Sequence, residues 1–135
     1  MSVVKNWNNN TVNWDELIEN WDFTVKNGGE TKSVLPGFFV GHLAHLIKKV
    51  KDCIVKNNFI NDAHAYFNLT TASGAFKKHR DSNNVHYWQC IGKTKWIVDG
   101  YGTFILEPGD LIYIPEGVFH EVIPLTPRLG ISMAT

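Results

Sequence analysis

From Ala63 onward the chain is cut into short β-favouring runs by turn residues, and this punctuation narrows the fold more than any other feature of the sequence. Short runs rich in aliphatic, aromatic and β-branched side chains, separated by Gly, Pro, Asn and Asp, are the pattern of an all-β sandwich or barrel. The expected strands cover His64 to Thr71, Phe76 to Asp81, Val85 to Ile91, Lys95 to Val98, Gly102 to Leu106, Asp110 to Ile114, His120 to Ile123 and Leu129 to Met133. Asp99-Gly100 and Pro108-Gly109 supply turns between them. A set of this kind suits a two-sheet jelly roll, in which side chains alternate between the interior and the outer surface.

The preceding residues have a different period. Trp14, Leu17, Ile18 and Trp21 recur at helical spacing, with Asn13 placed to cap and Glu16 three residues later, so a short amphipathic helix is expected there. Lys26 to Ser33 reads as a loop. Pro36 and Gly37 then open a second apolar segment, in which Phe38, Phe39, His42, Leu43, Leu46 and Val50 fit a helix running to about Lys56. With 135 residues and 44% hydrophobic content, the chain holds one core and is too short for two ordinary domains. The expectation is a single domain over 1–135, with 1–60 as an N-terminal helical cover and 61–135 as the barrel, mainly β with two N-terminal helices.

Charge excludes little but favours no polyanion. The 13 Lys plus Arg balance the 13 Asp plus Glu, so no global field recruits nucleic acid or an anionic membrane. Cys53 and Cys90 stand apart without a CxxC or a His at zinc-ligand spacing, as buried thiols of a reducing compartment do. The opening MSVVKNWNNNTVNW lacks the apolar core of a signal peptide, and no apolar run approaches the roughly 20 residues that cross a bilayer. A cytoplasmic protein with no membrane partner is expected.

Chemistry concentrates in two places. Residues i and i+2 of a strand share a face, so His79 and Asp81 in KKHRDS project together into a barrel. Taken alone, His-x-Asp fits equally a surface strand with a local hydrogen bond. A second element, EPGDLIYIPEGVFHEV, runs turn, strand and tight Pro-x-Gly turn, and then sets His120 at the start of the next strand, where antiparallel pairing can bring it opposite the first pair. Two imidazoles and one carboxylate on one face are the ligand set of non-haem Fe(II), with positions left for substrate and dioxygen; zinc or manganese also suits it. His79, Asp81 and His120 are therefore the expected metal ligands and catalytic centre. His42, His45, His64 and His86 have no matching partners and read as core-edge or surface residues.

The spacing Gly109, five residues, Pro115, one residue, Gly117, two residues, His120 resembles the second cupin motif, with Pro124 where that motif usually ends in Asn. The first motif, from Gly74, offers His-x-Asp where many cupins have His-x-His, and so resembles the Fe(II)/2-oxoglutarate oxygenases. AYFNLTTASGAFKKHRDSNNVHYWQCIGKTKWIV, with His79, Asp81, Gln89, Gly92 and Trp96 in order, is similar to the metal-binding stretch of JmjC-type hydroxylases, nearest the ribosomal-oxygenase branch. LEPGDLIYIPEGVFHEV resembles the distal-His segment of the same branch. The resemblance spans about Ala65 to Val122 and implies a double-stranded β-helix, the cupin or jelly-roll barrel.

It also implies an Fe(II)- and 2-oxoglutarate-dependent hydroxylase, with 2-oxoglutarate as cosubstrate and a substrate, protein or small molecule, that the sequence does not identify. One position departs from the family: the Lys or Arg that usually pairs with the far carboxylate of 2-oxoglutarate is here Thr94. Lys93 and Lys95 flank it, and Lys95 reaches the interior only if a bulge shifts the register. HEVIPLTPRLGIS resembles the distal segment of prolyl-hydroxylase-like oxygenases, which gives the carboxylate to Arg128. Tyr87, Gln89 and Thr94 can line the interior by alternation, Tyr87 or Thr94 donating a hydrogen bond to the cosubstrate. The expected cosubstrate residues are thus Arg128, Tyr87, Thr94 and Lys95. A cupin metalloenzyme that does not use 2-oxoglutarate, such as a dioxygenase or isomerase, and a metal-binding module without turnover remain the alternatives. Lys77, Lys78, Arg80, Lys93 and Lys95 crowd the first ligands as a solvated basic face or a rim for an acidic partner, and an exposed sheet edge or helix face leaves room for a homodimer.

Overall fold

The computed structural model describes residues 1–135. Its elements are β1 (Ser2–Val4), α1 (Trp14–Lys26), β2 (Thr31–Leu35), β3 (Phe38–Gly41), α2 (Lys48–Asn57), β4 (Ala63–Asn68), β5 (Val85–Ile91), β6 (Thr94–Val98), β7 (Gly102–Leu106), β8 (Leu111–Ile114), β9 (His120–Pro124) and β10 (Arg128–Met133). Two antiparallel sheets face one another, a seven-stranded one in the order β1-β8-β5-β10-β4-β3-β2 and a three-stranded one in the order β7-β6-β9. The architecture is mainly β, a double-stranded β-helix with two helices, as expected from the spacing of turns and strands.

In the larger sheet β5 and β8 carry buried apolar residues on both faces, and alternation sorts the sheet's apolar side chains into two cores. Trp88 and Cys90 of β5, Ala65 and Phe67 of β4 and Ile131 of β10 point outward, where Leu17 of α1 and Val50 and Ile54 of α2 cover them. Tyr87 of β5 and Ile112 and Ile114 of β8 point inward against Trp96 and Val98 of β6. The outer core holds 16 buried residues and the inner one only six, so the inner core fills one part of the barrel and leaves a cavity in the rest.

α1 starts where the sequence marks it. The Asn13 side chain accepts from the Glu16 N–H at 2.9 Å, and the Glu16 carboxylate accepts from the Asn13 N–H at 3.1 Å, which satisfies two of the donors a helix start leaves open.

Four local expectations are corrected. Residues 1–60 are not simply a helical cover: β1, β2 and β3 add to the larger sheet. Pro36-Gly37 does not open a helix but turns the β2–β3 hairpin; Gly37 has φ +78°, and a Pro followed by a residue at positive φ is the signature of a type II turn. The second helix therefore begins at Lys48, after a 3₁₀ turn over Ala44–Leu46. Phe76 to Asp81 form no strand beyond a bridge of His79 to His120, and Lys26 to Ser33, read as loop, contain the end of α1 and the start of β2.

Candidate metal centre

His79 and Asp81 lie on an irregular segment that follows β4, and backbone hydrogen bonds rather than a strand hold it in place. The His79 N–H donates to the His120 carbonyl at 2.9 Å, and the His120 N–H returns to the His79 carbonyl at 2.8 Å. The Gly117 N–H, in the Pro115-Glu116-Gly117 turn before β9, donates to the Asp81 carbonyl at 2.9 Å. The two sequence motifs are thus joined at three points through their main chains.

The three side chains converge. Nε2 of His120 is 3.2 Å from Oδ2 of Asp81, Nε2 of His79 is 3.9 Å from the same oxygen, and all three donor atoms fall within 4.8 Å of one another. Adjacent donors on a metal with bonds near 2.1 Å stand about 3 Å apart, so the cluster needs only small rotations to close on an ion. Both imidazoles are oriented alike: Nδ1 of His79 lies 2.8 Å from the Lys77 carbonyl, and Nδ1 of His120 lies 2.9 Å from that of Val118. A carbonyl can only accept, so each Nδ1 carries the proton and each Nε2 keeps its lone pair for a metal. The donor set fits a divalent ion.

In competition with a metal, His120 Nε2 and Asp81 Oδ2 hold a proton between them, which a bound ion would displace. Hydrogen bonding from His120 holds Asp81 below the usual carboxylate range against the effect of burial, with both His charges assisting. Burial pushes the His120 imidazole down, but the Asp81 carboxylate and the Val118 carbonyl outweigh it and raise the group above its ordinary value. The Trp96 ring stacks on His120 at 5.7 Å and 21° and fixes its plane.

The ligands sit in the wall of a cavity of about 570 Å³, whose lining also includes Tyr66, Tyr87, Arg128 and Ser132. Arg128 is only 2% exposed. Its Nε donates to Asn68 Oδ1 at 2.7 Å, its Nη1 to the Tyr87 hydroxyl at 3.0 Å, and its guanidinium lies over the Phe38 ring at 5.2 Å. No carboxylate pairs with it. Burial raises the Tyr87 phenol, with Arg128 opposing, and burial followed by the Asp81 charge raises Tyr66, so both remain neutral donors near pH 7.

The other two sequence candidates lie elsewhere. Thr94 is fully buried in a closed network: its hydroxyl donates to Gln89 Oε1 at 2.8 Å and accepts from Trp96 Nε1 at 3.0 Å. It has no proton left for a ligand and acts instead through Trp96 on His120. Lys95 is on the opposite face of β6 from Thr94 and Trp96, because that strand runs without a bulge through its pairings with β7 and β9. Tyr66, Asn68 and Ser132 were not singled out from sequence. Their signal is polar residues at alternate places, His64, Tyr66 and Asn68 on β4 and Arg128 and Ser132 flanking Gly130 on β10, in otherwise apolar strands.

YcfD, a ribosomal oxygenase from Escherichia coli solved with cobalt and 2-oxoglutarate, superposes with a TM-score of 0.78 at 18% identity, over 98% of this chain and 46% of its own. The chain has the fold of that protein. A family profile described as the JmjC domain also matches residues 99–135, the part that contains His120 and Arg128. YcfD in complex with cobalt and succinic acid aligns with a TM-score of 0.76 at 18% identity over 98% of this chain and 47% of its own. KdgF from Halomonas aligns less closely, with a TM-score of 0.55 at 19% identity over 79% of this chain and 87% of its own. No curated protein matches the sequence. The chain spans slightly less than half the length of YcfD, and none of its helices is long and apolar enough to cross a membrane.

Proposed function

We propose that this chain is an Fe(II)- and 2-oxoglutarate-dependent oxygenase, a cytoplasmic hydroxylase in which His79, Asp81 and His120 hold the metal and Arg128 receives the far carboxylate of 2-oxoglutarate. The observation that carries the reading is Arg128. A buried guanidinium without a carboxylate partner is costly, and one that opens on the same cavity as a His, Asp, His cluster calls for an anionic ligand there. A planar fork of N–H donors matches a carboxylate.

When bound, the metal supplies the site at which dioxygen is activated as 2-oxoglutarate is converted to succinate and carbon dioxide. The protein's own part is positional. Asn68 and Tyr87 hold the guanidinium in one plane, Trp96 holds His120, and the Lys77 and Val118 carbonyls keep each imidazole in the tautomer that presents Nε2. The apolar wall formed by Val85, Trp96 and Val122 limits water around the reacting groups. Thr94 and Lys95 take no direct part in this scheme.

Anaerobic addition of Fe(II) and 2-oxoglutarate should give the weak visible charge-transfer band of the chelate, and admission of air should release succinate. Absence of both would sink the proposal. His79→Ala should abolish both.

A further inference from the structure

β9 has a neighbour on one side only. Its ladder with β6 is bracketed by the bonds Asp99 N–H to Phe119 carbonyl, 3.0 Å, and Leu125 N–H to Lys93 carbonyl, 2.9 Å, so Glu121 and Ile123 turn their backbone groups toward β6. His120 and Val122 turn theirs away. His120 spends both on His79, whereas the N–H and carbonyl of Val122 have no partner in the protein. Such a donor and acceptor pair on a strand edge is the template for an added strand.

The chain's own candidate for that place is held off. Continuing the His79–His120 pairing would set Lys77 opposite Val122, but the Lys77 carbonyl already accepts from His79 Nδ1. Phe76 is drawn toward the larger sheet, its ring 5.2 Å from that of Phe38 and 6.1 Å from that of Tyr66. The resulting slot has Lys77 and Lys78 on one wall and Val122 on the other, and all three line the cavity that holds the metal ligands. The only carboxylate in that lining is Asp81, a ligand itself; Lys78 pairs with Asp99 at 2.8 Å just outside it, which leaves Lys77 as the unpaired cation of the wall.

We infer that the slot takes an extended acidic peptide segment, which pairs its main chain with Val122 and directs a carboxylate side chain toward Lys77. This rests on the oxygenase reading and names the substrate class for it. His79 blocks the next position along the edge, so the segment leaves the strand there, and its residue about 6.7 Å farther on passes over the three ligands. Main-chain pairing supplies affinity, and the basic wall supplies selection.

The test begins on the Zn(II)-loaded protein by amide hydrogen exchange. The Val122 amide should exchange fast while Glu121 and Ile123 are protected, and pools of labelled acidic, uncharged and basic short peptides should then bind in that order of affinity and protect Val122. Val122→Pro removes the outward N–H without touching the β6 ladder and should weaken acidic-peptide binding about tenfold with metal binding unchanged, while Val122→Ala, which keeps that N–H, should weaken peptide binding far less. A Val122 amide already protected in the free protein, no binding by any pool, unchanged binding by Val122→Pro, or equal binding of the basic pool overturns the inference. A chelate band without peptide binding removes this inference alone, and peptide binding without the band removes the oxygenase reading and leaves the slot.

Discussion

Replacing Arg128 by Met separates the cosubstrate from the metal. Met fills a comparable length and carries no charge, so the variant deletes the guanidinium from a site that is 2% exposed and admits no bulk water in its place. Two charge-assisted hydrogen bonds to a carboxylate contribute about 1.5 to 3 kcal/mol each, so 2-oxoglutarate affinity should fall by roughly a hundredfold to ten-thousandfold. Stability should change far less. Asn68 Oδ1 and the Tyr87 hydroxyl each lose a donor, which costs about 1 to 3 kcal/mol apiece, but the unpaired buried charge disappears at the same time. The assay is calorimetric titration of the Co(II)-loaded protein with 2-oxoglutarate and, in parallel, with pyruvate, which shares the chelating 2-oxo acid but has no far carboxylate. Pyruvate affinity should be the same in wild type and variant. Equal losses for both ligands, or none for either, would refute the assignment of Arg128.

Other expectations concern metal, packing and pH. Co(II) at a hundredfold excess over its dissociation constant should stabilise the protein by about 2.7 kcal/mol, seen as a rise in Tm that Asp81→Ala abolishes. Gly130→Ala should weaken 2-oxoglutarate binding without affecting Co(II): a Cβ at that position would lie 1.8 Å from the Tyr87 hydroxyl, so the phenol must leave Arg128; unchanged affinity would show that Tyr87 does not orient the guanidinium. Burial, and then the charge of His42 stacked on it at 4.1 Å, hold the His64 imidazole below its ordinary value. The unfolded chain therefore takes up that proton more readily, so the stability due to neutral His64 is complete above the ordinary imidazole range and is lost as pH falls through it. Urea denaturation of the metal-free protein should show a shallower loss between about pH 7 and 5 in His64→Gln than in the wild type, and equal slopes would remove His64 from the account.

What the sequence disclosed and what it hid follow from the range of the forces involved. β5 to β10 were legible because alternation and turn residues are local, and the Pro-x-Gly turn before His120 fixes its entry into β9. The β2–β3 hairpin was not, because Phe38, Phe39, His42, Leu43 and Leu46 mimic a helical stripe, and pairing of β3 with β4 outweighs that period. β1 is three residues whose pairing with β8 no local pattern records. The position of His79 and Asp81 was read from a motif, but not their irregular backbone, which depends on Phe76 docking on Phe38 and Tyr66. Alternation turns Thr94 inward and so suggests it for the cosubstrate, and only the hydroxyl's bond to Gln89 shows that it is taken.

The place of β10 in the larger sheet has a consequence for how the protein is made. It lies between β4 and β5, yet it is translated after every strand it joins, with Arg128 opposite Asn68 and Met133 opposite both Ala63 and His86. Until it arrives the nascent chain carries two separate half-sheets with bare edges, and contacts across such sequence distances form slowly. Refolding should consequently be late, cooperative and prone to aggregation at high concentration. The same strand brings Arg128, Gly130 and Ser132, so a ribosome stalled before Arg128 would release a chain lacking both the seam of its sheet and one wall of its cavity.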